Sequence, residues 1–168
     1  MKRYHEVKIT VDMVRRAESM AKTHGSNSNT IKKRERSRFT GYLGEEMVAK
    51  FISGLTRANC KDYDFIRWEG SDHSYSIDVK TKERTVSPAD KWSVHIGEYG
   101  SHQQCDTYIF AQVNETEEGW RGWVIGWMDK EEYWETALKV KKGDVVEGDD
   151  WPEHADGRKM YFRDLHHY

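Results

Sequence analysis

The sequence contains only two cysteines and two prolines, and it has no long apolar run in its 168 residues. Cys60 and Cys105 lie far apart and neither belongs to a CxxC pair, which favours free thiols in a reducing compartment. A zinc site that combines them with His95 or His102 is an alternative. Because there is no apolar stretch of about 18 residues and no apolar N-terminal segment, we expect neither membrane insertion nor secretion, and we expect a cytoplasmic protein.

A strong imbalance of charge is also missing, because 27 Lys and Arg face 29 Asp and Glu for a formal net charge of −2. A net charge this small gives no reason by itself to expect a nucleic acid partner. The distribution is more informative, because residues 1–50 are net basic whereas residues 114–156 are net acidic. The acidic half could solubilise the protein, repel and so orient nucleic acid, or dock a basic partner.

The densest basic run is Lys32-Lys33-Arg34-Glu35-Arg36-Ser37-Arg38. Such a segment can neutralise phosphates and gain affinity by counterion release. A flexible, solvated linker is the alternative, because residues 25–30 just before it have the composition of a loop.

Length and aromatic content are sufficient for one folded domain. Seven Trp, nine Tyr and five Phe supply a large apolar area in a chain whose hydrophobic content is only 36%. Length and hydrophobic periodicity predict one α/β domain with about five main strands. Strands are predicted at 4–11, 62–68, 77–81, 92–96, 107–113 and 122–128, a late edge strand at 160–162, helices at 12–24, 40–52 and 130–141, and loop at 143–159.

The run Ile77-Asp78-Val79-Lys80-Thr81 carries the strongest chemical signal. Side chains alternate along a strand, so Ile77 and Val79 should face a core while Asp78 and Lys80 stand together on the opposite face. A carboxylate can hold a hard divalent cation, and a neighbouring ammonium can stabilise charge on a phosphate. An ordinary surface ion pair is the alternative.

Two more carboxylates are expected to approach this strand. In the helix predicted over 40–52, Glu45 lies along the border of the apolar stripe. A charged side chain is unusual there, so a functional role is expected. Asp64 opens the strand predicted over 62–68, which a turn-rich segment connects to the Asp78 strand as a hairpin.

A helix with Gly-x-x-Gly-Glu at 41–45, an Asp that opens a strand, and Asp-x-Lys on the next strand together resemble the PD-(D/E)XK nuclease superfamily. The resemblance covers residues 40–113 and implies a restriction-endonuclease-like fold, in which a central mixed sheet of about five strands is flanked by helices. It also implies hydrolysis of nucleic-acid phosphodiesters. We expect a single domain over residues 1–168. It has an N-terminal strand, helix and basic segment in 1–39, the catalytic core in 40–113, and a C-terminal strand, helix and acidic tail in 114–168. The resemblance further suggests a small nuclease of phage or mobile-element type.

The resemblance also implies roles for particular residues. Asp64 and Asp78 would be ligands of Mg²⁺ or Mn²⁺ together with the backbone carbonyl of Val79, Lys80 would be the catalytic lysine, and Glu45 would complete or tune the metal site. The family's proline is missing, because Tyr63 precedes Asp64. The first metal-binding aspartate is therefore ambiguous, and Asp72 and Asp62 are the alternatives.

Nucleic acid is the expected partner, with DNA favoured over RNA and a homodimer left open. The candidate contact residues are Lys32, Lys33, Arg34, Arg36 and Arg38 of the basic run, Lys82 beyond the catalytic lysine, and Gln104, which begins a Q-x-x-x-Y match to one branch of the superfamily. Two other functions remain as alternatives: a nuclease-like module that binds nucleic acid without cutting it, and an acidic interaction protein.

Overall fold

The computed structural model of the protein describes residues 4–23, 29–58, 60–146 and 151–168, with the side chains of 29–34 outside the described part. The helices are α1 (Val11–Lys22), α2 (Asn29–Phe51) and α3 (Lys130–Thr136). The strands are β1 (His5–Lys8), β2 (Leu55–Arg57), β3 (Phe65–Glu69), β4 (His73–Glu83), β5 (Ser93–Gly97), β6 (Thr107–Thr116), β7 (Gly119–Asp129), β8 (Leu138–Val140) and β9 (Gly157–Tyr161).

The strands form two sheets. A six-stranded sheet has the order β1-β7-β6-β4-β3-β2, in which β4 and β6 run parallel and all other neighbours antiparallel. A separate three-stranded sheet has the order β5-β9-β8. The predicted mixed α/β class is confirmed. The prediction of about five strands in one sheet is too low. The three-residue β2 is too short to show a pattern, and β5 and β9 pair with each other in a second sheet, which periodicity does not encode.

The large sheet is packed on both faces. On one face, α1 and α2 cover Ile77, Val79 and Ile109. On the other, α3 and the small sheet cover Tyr108 and Phe110 of β6. The predicted alternation along β4 is therefore confirmed, but the face that carries Asp78 is a second core layer, and Asp78 is only 6% exposed.

Helix α2 begins earlier than the prediction of 40–52, and the predicted basic run is part of the helix rather than a linker. Its apolar stripe is buried as predicted, with Leu43, Met47 and Val48 fully enclosed. A Cβ at Gly44 would lie 1.8 Å from Thr81 Oγ1, so the glycine allows α2 to touch β4. This close approach brings Glu45 to the Asp78 strand.

Two predictions for the C-terminal third are wrong in detail. The helix predicted over 130–141 ends at Thr136, because the following residues pair with β9 as strand β8. The late edge strand predicted over 160–162 belongs to β9, which lies in the centre of the small sheet. Backbone pairing with β5 and β8 overrides the local composition there.

Within the described ranges, every helix is too short or too polar to cross a membrane. Both cysteines are free thiols, with Cys60 exposed and Cys105 buried.

Candidate active site

The candidate site lies where the β3–β4 hairpin opens. Phe65 pairs with Ile77, and the Asp64 amide still donates to the Ile77 carbonyl at 2.8 Å. At the next position along β4, the Val79 amide donates to the Asp64 carboxylate at 2.7 Å, instead of to a backbone carbonyl of β3. In an antiparallel pair the N–H and C=O of one residue point to the same side, so the Val79 carbonyl faces the same opening. The hairpin predicted from sequence is thus present, with Asp64 beside Val79.

Asp78 and Lys80 form a compact polar group with a glutamine. Lys80 Nζ lies 2.6 Å from Asp78 Oδ2 and donates to Gln103 Oε1 at 2.9 Å. The amide nitrogen of Gln103 donates in turn to Asp78 Oδ1 at 3.2 Å. Gln103 is itself anchored, because Lys130 Nζ donates to its backbone carbonyl. The ammonium of Lys80 is therefore held by an ion pair with Asp78 and a hydrogen bond to Gln103.

Glu45 reaches the site from α2 but is already paired. Its carboxylate accepts a hydrogen bond from Arg57 of β2, whose other nitrogen lies 3.0 Å from Glu46. Arg57 also lies over the Phe65 ring at 5.0 Å. Because Arg57 occupies its carboxylate in this way, Glu45 is better placed to tune the charge of the site than to act as a free ligand.

Burial raises the pKa values of the three carboxylates, and neighbouring negative charge adds to the shift. Burial raises the pKa of Asp64 to about 7, and the negative charges of Glu45 and Asp78 add to the shift. Burial also raises the pKa values of Glu45, against the pull of Arg57, and of Asp78, against the pull of Lys80 and Gln103. Three acidic groups in one partly desolvated place make an environment that a bound cation would stabilise.

A pocket of about 610 Å³ opens onto Glu45 and Asp64. From α2, Arg38 and Tyr42 line it at one helical turn from each other. Its charged lining consists of two arginines, Arg38 and Arg57, and the two carboxylates. Such a mixture can accommodate an anionic group beside a bound cation.

The donor set fits Mg²⁺ in chemical type. It consists of carboxylate oxygens and one backbone carbonyl, the hard ligands that this ion prefers, and Mg²⁺ needs few protein ligands because it keeps several waters. Within the described residues, no group of three or more His, Cys, Asp or Glu side chains is already arranged to hold a metal ion. The arrangement therefore provides the donors without a ready-made cage.

The hairpin separates the three candidate aspartates. Asp72 lies in the exposed turn between β3 and β4, more than five residues along the strand from Asp78 and hence about 20 Å away. Asp62 is half-buried near the opening, and its charge contributes to the raised pKa of Asp78. Asp64 alone among them accepts a hydrogen bond from the Asp78–Lys80 strand.

The residues predicted to contact nucleic acid fall into distinct groups. Arg36 is committed to the fold, because its guanidinium lies 2.5 Å from Glu83 and 2.6 Å from Glu115 and stacks 4.6 Å from the Trp120 ring. These carboxylates also raise its pKa further. Two positions later in the helix, Arg38 lies on the opposite side and lines the pocket that contains Glu45 and Asp64.

Lys82 is exposed on the same strand face as Lys80. Gln104 is exposed and donates only a local hydrogen bond of 3.1 Å to the His102 carbonyl, so the structure brings Gln103 to the site instead. The predicted contacts Lys32, Lys33 and Arg34 have side chains outside the described part of the chain.

Gln103 and Arg57 are the site residues that the sequence analysis missed. For Gln103, the sequence signal was its position next to the predicted Gln104. Which of the two amides faces β4 depends on the backbone conformation after the 3₁₀ turn at Glu98–His102. No sequence signal identified Arg57, because its strand has only three residues.

The chain matches no model of a known protein family, and no curated protein is significantly similar to it in sequence.

Proposed function

We propose that the protein is a divalent-metal-dependent nuclease that hydrolyses phosphodiester bonds, with DNA as the favoured substrate. The observation that carries this function is the meeting of Asp64, Asp78 and Lys80 at the opening of one hairpin, beside a pocket that Glu45 shares. Excess buried negative charge next to a fixed ammonium suits a site that binds a cation and a phosphate together.

The protein's own residues have distinct tasks in this proposal. Asp64, Asp78 and the Val79 carbonyl would hold the ion, which when bound can activate water and stabilise charge on the phosphate. Lys80, fixed by Asp78 and Gln103, would donate to a phosphate oxygen as negative charge develops. Arg57 would keep Glu45 ionised, and Arg38 would contact the substrate backbone at the pocket wall.

The function is tested by incubating the protein with labelled single-stranded, duplex, nicked and branched DNA and with RNA. Each substrate is tested with Mg²⁺, with Mn²⁺ and with EDTA. We expect cleavage in Mg²⁺ or Mn²⁺, none in EDTA, and none by an Asp78→Asn variant purified in parallel. Absence of cleavage from every substrate in both metals would refute the nuclease function.

The competing function is a module that binds nucleic acid without cutting it. The observation in its favour is that Arg57 and Lys80 already form ion pairs with Glu45 and Asp78. Binding of Mg²⁺ followed by calorimetry separates the two. A nuclease should bind Mg²⁺, and Asp78→Asn should reduce its affinity for the ion. For a non-cutting module, the affinity for DNA should be the same with and without Mg²⁺.

A further inference from the structure

A second pocket lies at the C-terminal end of β4, beyond the candidate site. Its volume is about 280 Å³, at the small end for ligand pockets. Three lysine or arginine side chains and a single carboxylate line its described part, so its potential is positive. The residues that matter here are Lys82, Arg84, His95, Trp151, Glu153 and Lys159.

The fold fixes much of this charge in place. The buried Lys159 pairs with Glu153, and His95 Nδ1 lies 3.1 Å from the same carboxylate. The guanidinium of Arg84 stacks 4.7 Å from the Trp92 ring. These contacts give the pocket its shape and its positive wall before any ligand arrives, which lowers the cost of ordering on binding.

Trp151 is the unusual member of the pocket, because its indole is 77% exposed. An exposed aromatic ring beside a basic surface is the combination with which proteins bind single-stranded nucleic acid. The ring stacks on an unpaired base and the cations follow the backbone. In a duplex the bases are already stacked and are not available to the indole.

Lys82 connects the pocket to the candidate active site. It lies two residues beyond Lys80 on the same strand face and hence about 7 Å further along β4. A strand whose phosphate lies at Lys80 can therefore continue past Lys82 towards Trp151.

We infer that this pocket binds an unpaired stretch of the nucleic-acid strand next to the scissile phosphate. In this arrangement Lys82 contacts a backbone phosphate and Trp151 stacks on a base; its position relative to the cut rests on the nuclease function proposed above. The substrate class is then single-stranded nucleic acid, or duplex with a frayed or single-stranded end.

The test measures binding without cleavage. A fluorescein-labelled oligothymidylate and the same strand annealed to its complement are titrated with protein in EDTA at low salt, and fluorescence anisotropy gives both dissociation constants. We expect Trp151→Ala to weaken single-strand binding about tenfold and to leave duplex binding within about twofold. Lys82→Ala should weaken binding to both about threefold and lower the slope of log affinity against log salt by about one.

Matched controls are available elsewhere on the surface. Trp68 is 57% exposed near the C-terminal end of β3. Lys139 is exposed on β8, next to Leu138, whose partner on β9 is Lys159. Trp68→Ala and Lys139→Ala should both bind like wild type. Wild-type affinity in Trp151→Ala and Lys82→Ala, or no single-strand binding by the wild type, would overturn the subsite.

The outcome is independent of catalysis. If the wild type binds single strands through Trp151 and Lys82 but never cleaves, the subsite stands and the nuclease function fails. If it cleaves while both variants bind normally, only the subsite fails.

Discussion

Two lysine–carboxylate pairs in this protein look alike and have different surroundings. Lys80 lies 2.6 Å from Asp78 on β4, and Lys159 of β9 contacts Glu153 just before that strand. Each pair is largely buried and has a third polar partner, Gln103 for the first and His95 for the second. The Asp78 pair adjoins two further carboxylates, whereas Glu153 is shared between two basic groups.

The difference in local charge indicates different roles. Glu153 is neutralised by the side chains that contact it, as expected of a pair that fixes the small sheet to the segment before β9. At Asp78, the neighbouring Asp64 and Glu45 leave more negative charge than Lys80 and Arg57 balance. The pKa values of these carboxylates are raised, chiefly by burial and, for Asp64 and Glu45, also by the neighbouring negative charges. An acidic excess that the fold retains despite its cost indicates a function for the group.

The sharpest test of the comparison replaces Asp78. We expect Asp78→Asn, and separately Lys80→Ala, to lower the rate of Mg²⁺-dependent cleavage by about 10³-fold, because the first removes a proposed ligand of the ion and the second removes the proposed donor to the phosphate. The measurement is single-turnover cleavage of a labelled oligonucleotide. Circular dichroism should be unchanged in Asp78→Asn, because asparagine fills the same volume and Lys80 keeps the Gln103 amide oxygen as an acceptor.

The control is Glu6→Gln at the exposed Arg121–Glu6 pair, which should retain cleavage within about threefold of wild type, since Glu6 lies outside both the acidic group and the basic pocket. Full activity in Asp78→Asn or Lys80→Ala would remove that residue from the mechanism.

Removing Glu153, the carboxylate of the second pair, should affect stability instead of cleavage. Glu153→Ala leaves the ammonium of Lys159, which is 6% exposed, without its main counter-charge, and we expect the free energy of unfolding to fall by about 3 kcal/mol. Urea unfolding followed by circular dichroism measures the change. Glu6→Ala is the control, because the exposed Arg121–Glu6 pair should contribute less than about 1 kcal/mol. Equal stability of the two variants would contradict a structural role for Glu153.

The acidic excess also predicts a dependence on pH. The pKa of Asp64 is about 7 in the folded protein against 3.8 ordinarily, so the folded state binds the extra proton between these values. Stability without metal should therefore fall as pH rises from about 4 to about 7, and remain lower above that. Asp64→Asn keeps an acceptor for the Val79 amide and should be more stable than wild type at pH 8 by about 1–2 kcal/mol, discounted for solvent access.

Thermal unfolding at pH 5 and pH 8, in EDTA and in Mg²⁺, measures both effects. Mg²⁺ should raise the unfolding temperature of the wild type at pH 8 and not that of Asp64→Asn. Asp72→Asn, in the exposed turn, should behave like wild type, and Asp62→Asn shows whether the second candidate shares the ion. A Mg²⁺ shift retained in Asp64→Asn would assign the ligand elsewhere.

The sequence was most informative where a local pattern coincides with a local structure. The alternation of residues 77–81, the apolar stripe of α2 and the β3–β4 hairpin all follow from spacing, and together they bring Asp64 to Asp78. Gln103 and Arg57 could not be predicted in this way, because their positions depend on how a turn and a three-residue strand pack against the hairpin. The small sheet was missed for the same reason, since β9 pairs with strands that lie about 60 and 20 residues earlier.

The smallest expected effect concerns the glutamine that the structure selects. Gln103 contacts both Asp78 and Lys80, so Gln103→Ala should lower the cleavage rate about tenfold by loosening the ammonium. Its hydrogen bond lowers the pKa of Asp78, and losing that bond should move the acid limb of the pH–rate profile to higher pH.

Gln104→Ala is the matched control, because the same side chain is removed one position later, where its amide donates only to the His102 carbonyl. Its rate and pH profile should equal those of the wild type. A slower Gln103→Ala with an unmoved acid limb would mean that Gln103 supports the fold around Lys80 without tuning Asp78. If Gln104→Ala were the slower variant, the substrate contact would lie on the exposed side of the turn. The Asp78–Lys80 pair would then have a structural role, like the Glu153–Lys159 pair.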